Sequence, residues 1–138
     1  MKNIILIGSG NVATHIGKSL IYNGYIVKQV WSKNLEKAKI LADKINSIAI
    51  DSLKNIKDAD LYIVAVKDNA LQTVIGQLNV NNIVHTSGSY GLDVFNNKTK
   101  NYGVFYPVQT FNKTIKLDFS KIPLCIEANN KEFEEKLI

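Results

Sequence analysis

Short, unbroken runs of apolar residues alternate along the chain with longer segments whose apolar residues recur every three or four positions. The unbroken runs are typical of strands covered on both faces, and the periodic segments are typical of helices with one buried face. The predicted strands are Ile4–Ile7, Tyr25–Trp31, Ile48–Ile50, Leu61–Val66, Ile83–Thr86, Val104–Tyr106 and Leu124–Ile126. The predicted helices are Val12–Tyr22, Leu35–Ile45 and Ala70–Leu78. This order predicts an α/β fold with a doubly wound, mostly parallel sheet and helices on both faces.

Polar and small residues mark the ends of these predicted helices. Gly24 is placed to stop the first helix, and Asn34 can cap the start of the second. Asp68 or Asn69 can cap the third. Near the end of the chain, residues 129–138 form a helix start followed by an apolar stripe that stops unfinished, so we expect the natural protein to be longer.

The turn after the first strand has the spacing of a dinucleotide-binding loop. Gly8 would allow the sharp turn, Gly10 would let a pyrophosphate approach the backbone, and Ala13 would let the helix lie close to the sheet. Free N–H groups at the start of that helix would face the anion. The alternative is a strand-to-helix turn with no ligand. The residues predicted to bind the phosphates are Gly8, Ser9, Gly10, Asn11 and Val12.

The ends of the second and fourth strands extend this predicted site. The second strand ends in Ser32, Lys33 and Asn34, where an NAD site carries Asp or Glu, and no carboxylate comes before Glu36. A hydroxyl, an ammonium and an amide suit a 2′-phosphate, which favours NADP over NAD. The alternative is that Ser32 and Asn34 simply cap the next helix, and the two interpretations are compatible because a phosphate at a helix start uses the same donors. At the end of the fourth strand, the residues predicted to border the cofactor are Ala65, Val66 and Lys67.

Composition narrows the function classes. The chain has 138 residues, 46% of them hydrophobic, which is enough for one globular domain, and no apolar run reaches the ~18 residues of a membrane span. The net charge of +5 comes from scattered lysines without a basic stripe, so we predict no nucleic-acid partner. The single cysteine, Cys125, reads as a buried strand thiol and favours a reducing cytoplasm. The two histidines and this cysteine lack metal-ligand spacing, so no metal site is predicted.

Two later motifs, His85-Thr-Ser-Gly-Ser89 and Tyr106-Pro-Val-Gln-Thr-Phe111, together with the opening turn, resemble a bacterial family. Its members have a Rossmann-like N-terminal domain followed by a helical DUF2520 domain, and it is similar to pyrroline-5-carboxylate reductases, prephenate dehydrogenases and F420-dependent NADP reductases. The resemblance implies a Rossmann-type NAD(P)-binding domain over residues 1–128. It implies that residues 129–138 lead to a helical domain absent from this chain, used for homodimer formation and for closing the active site.

The same resemblance implies an NADP-dependent oxidoreductase of undefined substrate, transferring a hydride to or from a small carbonyl or imine. Three residues are candidates for its chemistry: His85 as a general acid or base, Ser87 as a hydrogen-bond donor to a carbonyl or carboxylate, and Tyr106 as a donor to substrate oxygen. Relatives commonly carry His-Pro where this chain has Tyr106-Pro107. Each residue also has a purely structural interpretation. His85 could be a strand-end histidine whose ring is satisfied by backbone groups, Ser87 a turn residue, and Tyr106 a half-buried aromatic residue before a proline.

A second function class stays open, namely a regulatory module that binds NADP(H) without turnover. The absence of an unambiguous catalytic acid favours it, and oxidation of bound NADPH by keto acids or imines would separate the two. A nucleic-acid binder is the weakest option, and its affinity would fall steeply with salt.

Overall fold

The computed structural model describes residues 2–87, 90–95, 101–107 and 124–137. The strands are β1 (Asn3–Ile7), β2 (Ile26–Trp31), β3 (Ile48–Ile50), β4 (Leu61–Val64), β5 (Ile83–His85), β6 (Tyr102–Pro107) and β7 (Leu124–Ala128). The helices are α1 (Asn11–Tyr22), α2 (Leu35–Lys44), α3 (Asp68–Gln77) and α4 (Lys131–Leu137). Short 3₁₀ turns cover Leu53–Asn55 and Leu92–Phe95. Within these ranges, no helix is long and apolar enough to cross a bilayer.

The seven strands form one sheet in the order β3-β2-β1-β4-β5-β6-β7. Strands β1 to β6 run parallel, and β7 pairs antiparallel with β6. The parallel part has the strand order of a Rossmann fold. Successive strands are added on one side of β1 up to β3, and on its other side from β4 onward, so the strand order reverses between β1 and β4. The predicted fold class is therefore confirmed. In such sheets, ligands bind at the carboxyl ends of the strands beside that reversal.

Both faces of the sheet are covered, because the buried strands carry apolar side chains on each side. One core lies against α1, α2 and α4, and includes Leu6, Ala13, Leu41 and Phe133. The other lies against α3 and the second 3₁₀ turn, and includes Ile7, Leu71 and Phe95. The unbroken apolar runs in the sequence follow from this two-sided burial.

The predicted ends of α1 and α2 are confirmed. Gly24 adopts a φ of +85° just after α1, and its N–H donates to the carbonyl of Ile21. Asn34 caps α2, with its side-chain oxygen accepting from the backbone N–H of Glu36 and Lys37 at 3.0 and 3.4 Å. Both devices satisfy backbone groups that a helix end leaves without partners.

Most predicted element boundaries differ from the observed ones by one or two residues, and two of these differences lie at the carboxyl edge of the sheet. Strand β4 stops at Val64, and not at Val66, because its register with β1 ends at the pair Ile7 and Val64 and only the Ala65 N–H still bonds to β1. Helix α3 starts earlier than predicted, and its cap position is Lys67, which makes no side-chain capping bond. Asp68 is not a cap, because it lies in the first turn and its carboxylate binds Ser87 instead.

The end of the chain forms the predicted helix start. Asn130 accepts a hydrogen bond from the N–H of Phe133 at 2.8 Å, and the Phe133 side chain is buried in the core beside α1 and α2. The assignment of 129–138 as a link to a further domain stays a prediction. The side chain of Cys125 lies outside the described part of the chain, as do residues 88–89 and 108–111 of the two motifs.

Candidate functional site

The turn between β1 and α1 is built around two glycines with opposite surroundings. Gly8 has a φ of +133°, and a Cβ at this position would stand 2.1 Å from the carbonyl oxygen of Ala65. Gly10 has ordinary extended dihedrals, and a Cβ there would meet nothing within 4 Å. Gly8 is therefore required by packing within the protein. Gly10 leaves open space above the start of α1, where the predicted pyrophosphate would lie.

The start of α1 provides N–H groups without a capping side chain. Gly10 occupies the cap position, and its carbonyl accepts from the N–H of Thr14, which leaves the first-turn N–H groups of Asn11, Val12 and Ala13 with no helical acceptor. The first turn carries no acidic residue. By contrast, the first turns of α2 and α3 each contain a carboxylate, at Glu36 and Asp68. Helix α1 is thus the one of these three whose N-terminus is open to an external anion.

The end of β2 lies directly beside this turn. The Ser9 hydroxyl donates to the Ser32 hydroxyl at 3.1 Å, and the N–H of Gly8 donates to the carbonyl of Trp31 at 2.8 Å. Ser32 is nearly buried and also accepts from the N–H of Asn34 at 3.3 Å. Lys33 is exposed to solvent. The structure therefore joins the two groups of residues that the sequence assigned separately to pyrophosphate and to 2′-phosphate.

The end of β4 forms the other side of the same edge. The N–H of Ala65 donates to the carbonyl of Ile7 at 2.7 Å, and the Ala65 carbonyl packs against Gly8. Ala65 is buried, Val66 is half-buried and Lys67 is exposed. All three predicted groups of cofactor residues therefore meet at the carboxyl ends of β1, β2 and β4.

Trp31 lies at the edge of a groove beside the predicted 2′-phosphate residues. The groove has a volume of about 440 Å³ and is lined by Trp31, Asp51, Ser52, Leu53, Lys54 and Gln77. The indole N–H is buried, and no acceptor for it is found among the described residues. Because this is the single tryptophan of the chain, its fluorescence would report on events next to Ser32.

His85, at the end of β5, is fully buried, and backbone groups contact both of its ring nitrogens. Its Nε2 lies 3.0 Å from the carbonyl oxygen of Gly91, and its Nδ1 accepts from the N–H of Ser87 at 3.0 Å. A carbonyl only accepts and an N–H only donates, so these contacts fix the neutral tautomer with the proton on Nε2. This geometry matches the reading of a strand-end histidine satisfied by backbone. A role in proton transfer stays a prediction.

Ser87 and Asp68 are brought together at the adjacent ends of β4 and β5. The Ser87 hydroxyl donates to Oδ1 of Asp68 at 2.6 Å across 19 positions of sequence. Sequence reasoning did not find this pair, because Asp68 also fits the pattern of a helix cap. The available signal was topological, since polar residues that follow neighbouring parallel strands meet at one edge of the sheet.

Tyr106 lies near the carboxyl end of β6, the strand beside β5. Its backbone pairs with Cys125 across β6 and β7, two positions beyond Val104, which is the partner of His85. The side chain of Tyr106 is outside the described part of the chain. Among the described residues, no group of three or more His, Cys, Asp or Glu is arranged to hold a metal ion.

Comparison with known proteins identifies the family. Residues 3–87, more than half of the chain, match the family of coenzyme F420-dependent NADP oxidoreductases. The chain belongs to this family. It is a Rossmann domain of the nicotinamide-dinucleotide-binding oxidoreductase type. None of the functionally curated proteins is similar enough to count as a match.

Solved structures of similar proteins support this family assignment. A provisionally assigned NADP oxidoreductase from Bacteroides fragilis is 38% identical, with a TM-score of 0.87 over 99% of this chain and 55% of its own. Prephenate dehydrogenase from A. aeolicus, solved with NAD⁺, has 14% identity and a TM-score of 0.78 over 99% of this chain and 55% of its own. 1-Pyrroline-5-carboxylate reductase from Streptococcus pyogenes has 19% identity and a TM-score of 0.76 over 98% of this chain and 52% of its own. The last two show the fold alone. The chain spans about half the length of these relatives.

Proposed function

We propose that this chain binds NADP(H) as the cofactor domain of an oxidoreductase that transfers a hydride to or from a small carbonyl or imine. The observation that carries the proposal is the open N-terminus of α1 beside Ser32 and Lys33. This edge offers N–H groups, hydroxyls and an ammonium to phosphates. It carries no carboxylate where NAD sites place one to bind the ribose hydroxyls.

Different residues of the chain would bind different parts of the cofactor. The N–H groups of Asn11 and Val12 would bind the pyrophosphate, and the open face of Gly10 would admit it. Lys33 and Ser32 would bind the 2′-phosphate. The bound dinucleotide would supply the hydride, and the residues at the ends of β4 and β5 would orient the substrate toward it.

Calorimetric titration with NADPH and NADH tests the proposal. In the Ser32→Ala/Lys33→Ala double variant, we expect NADPH affinity to fall at least ~10-fold, about 1.4 kcal/mol, while NADH affinity changes by less than about twofold. The matched control is Lys39→Ala, which removes an exposed lysine from α2. Quenching of Trp31 fluorescence gives a second reading of the same titration. Equal losses for both nucleotides, or tighter binding of NADH by the unmodified chain, would contradict the assignment.

A second candidate is an NADP(H)-sensing module without turnover. It is favoured by His85, whose two ring nitrogens are both engaged by backbone groups in a buried setting. Incubating NADPH with keto acids or cyclic imines separates the candidates in a protein that also carries the remaining length of its relatives. Loss of NADPH absorbance with one of them supports the oxidoreductase, and tight binding without oxidation supports the sensor.

A further inference from the structure

Ser87 is held in one orientation by two side chains from neighbouring strand ends. Its hydroxyl donates to Asp68 at 2.6 Å, and its backbone N–H donates to Nδ1 of His85 at 3.0 Å. His85 is anchored in turn by the carbonyl of Gly91. The position and direction of the Ser87 hydroxyl are therefore fixed before any ligand arrives.

This arrangement determines which hydrogen bonds Ser87 can offer. A hydroxyl has one hydrogen to donate and two lone pairs, and an ionised carboxylate only accepts. Because the hydrogen of Ser87 points to Asp68, every other hydrogen bond of this oxygen must be one that it accepts. The sequence-based expectation that Ser87 donates to a carbonyl or carboxylate does not fit this geometry.

We infer that Asp68 and Ser87 form a dyad that recognises an N–H group on a cationic nitrogen, an amine or iminium, in preference to a carbonyl oxygen. The inference rests on the proposed function for the presence of the nicotinamide at this edge. Asp68 orients the Ser87 oxygen and adds a negative charge beside it, which suits a positive nitrogen. Ser87 keeps 8% of its surface exposed, and its hydrogen bond to Asp68 is partly buried. Asp68 is exposed and acts as a positioning residue.

Such a substrate would need no separate proton donor. When a protonated imine is reduced, its carbon accepts the hydride supplied by NADPH and the π electrons of the C=N bond become the lone pair of nitrogen. The product is a neutral amine that keeps its N–H, and the dinucleotide leaves as NADP⁺. This balance is consistent with a site in which His85 has both nitrogens engaged by backbone groups.

Two five-membered rings test the dyad: pyrrolidine, which carries N–H donors and a positive charge at neutral pH, and cyclopentanone, which only accepts. Their dissociation constants are measured by NMR titration of the NADP⁺-loaded chain. We expect pyrrolidine to bind at least ~10-fold more tightly than cyclopentanone. In Asp68→Ala, the Ser87 hydrogen is released, so pyrrolidine should weaken about 10-fold and cyclopentanone should tighten. Ser87→Ala removes the accepting oxygen and should reduce the preference to the part that comes from the charge of Asp68. Asp43→Ala, which removes an exposed carboxylate from α2, is the matched control.

The gain for cyclopentanone in Asp68→Ala is the decisive reading, because loss of charge alone would weaken one probe without strengthening the other. Equal affinity for the two rings, no detectable binding of either, or an Asp68→Ala variant that shifts both in the same direction would overturn the dyad. Each sample is first titrated with NADPH. If NADPH fails to bind, the proposed function fails, and the same ring titrations on the nucleotide-free chain still decide whether Ser87 accepts.

Discussion

The two edges of the sheet treat exposed backbone N–H groups in opposite ways. At the amino edge, the N–H groups of Lys2 and Asn3 both donate to Asp60, at 2.9 Å each. At the carboxyl edge, the first N–H groups of α1 meet neither a capping side chain nor a first-turn carboxylate. The chain supplies a carboxylate to the N–H groups at the start of β1 and none to those at the start of α1. Under the proposed function, the anion for α1 is the pyrophosphate of the dinucleotide.

The largest expected effect on stability comes from placing a side chain between Gly8 and the Ala65 carbonyl at the carboxyl edge. In Gly8→Ala, the new Cβ would collide with the Ala65 carbonyl, and the φ of +133° would be strained as well. We expect the free energy of unfolding to fall by about 3 kcal/mol or more. Urea denaturation followed by Trp31 fluorescence measures this change.

The control for that variant is Gly76→Ala. Gly76 lies exposed inside α3, and a Cβ there would meet nothing within 4 Å. Alanine favours helix, so this variant should gain about 0.5–1 kcal/mol. A Gly8→Ala protein as stable as the unmodified chain would show that the turn can shift away from Ala65.

The next prediction concerns the start of α1, where no carboxylate of the chain accepts from the first N–H groups. In Gly10→Asp, the cap position of α1 would gain a carboxylate that accepts from the open N–H groups. We expect unliganded stability to rise by about 0.5–1 kcal/mol, while NADPH affinity falls ~100-fold, about 2.7 kcal/mol. Thermal unfolding and calorimetry measure the two quantities. If binding survives the substitution, the start of α1 is not the phosphate site.

The smallest effect is expected at the amino edge. Hydrogen bonds from the N–H groups of Asn3 and Lys2 hold the pKa of Asp60 below its usual value of 3.8. A lowered folded-state pKa means that the ionised form stabilises the fold above the unfolded pKa, and that this contribution disappears as the pH falls through the folded pKa. Asp60→Asn keeps an accepting oxygen and removes the charge. It should therefore be slightly less stable than the unmodified chain at pH 7.

Denaturation curves from pH 7 to pH 2 check that prediction. The stability difference between the two proteins should shrink as the pH falls below the usual carboxylate range. A difference that stays constant over the whole range would mean that the charge of Asp60 contributes nothing and that shape alone matters at this edge.

Sequence patterns predicted the parts of the molecule that depend on neighbours in the chain. The order of the strands, the ends of α1 and α2, and the sharp turn at Gly8 follow from local spacing and backbone freedom. The end of β4 at Val64 did not, because it is defined by where the pairing with β1 ends, and β1 is more than fifty positions away in sequence. The Asp68–Ser87 pair did not either, because two side chains 19 positions apart meet only once the sheet is ordered. In isolation, Asp68 satisfies a capping pattern just as well.

The contact between Gly8 and the Ala65 carbonyl also limits how this edge can move. With no side chain between them, the first turn and the end of β4 touch backbone to backbone, and the adjoining N–H of Ala65 is bonded to Ile7. Sliding or separating the two would break that hydrogen bond or force atoms together. The seam should therefore behave as a fixed pivot during ligand entry and release. Motions that set the rate of exchange would then occur away from it.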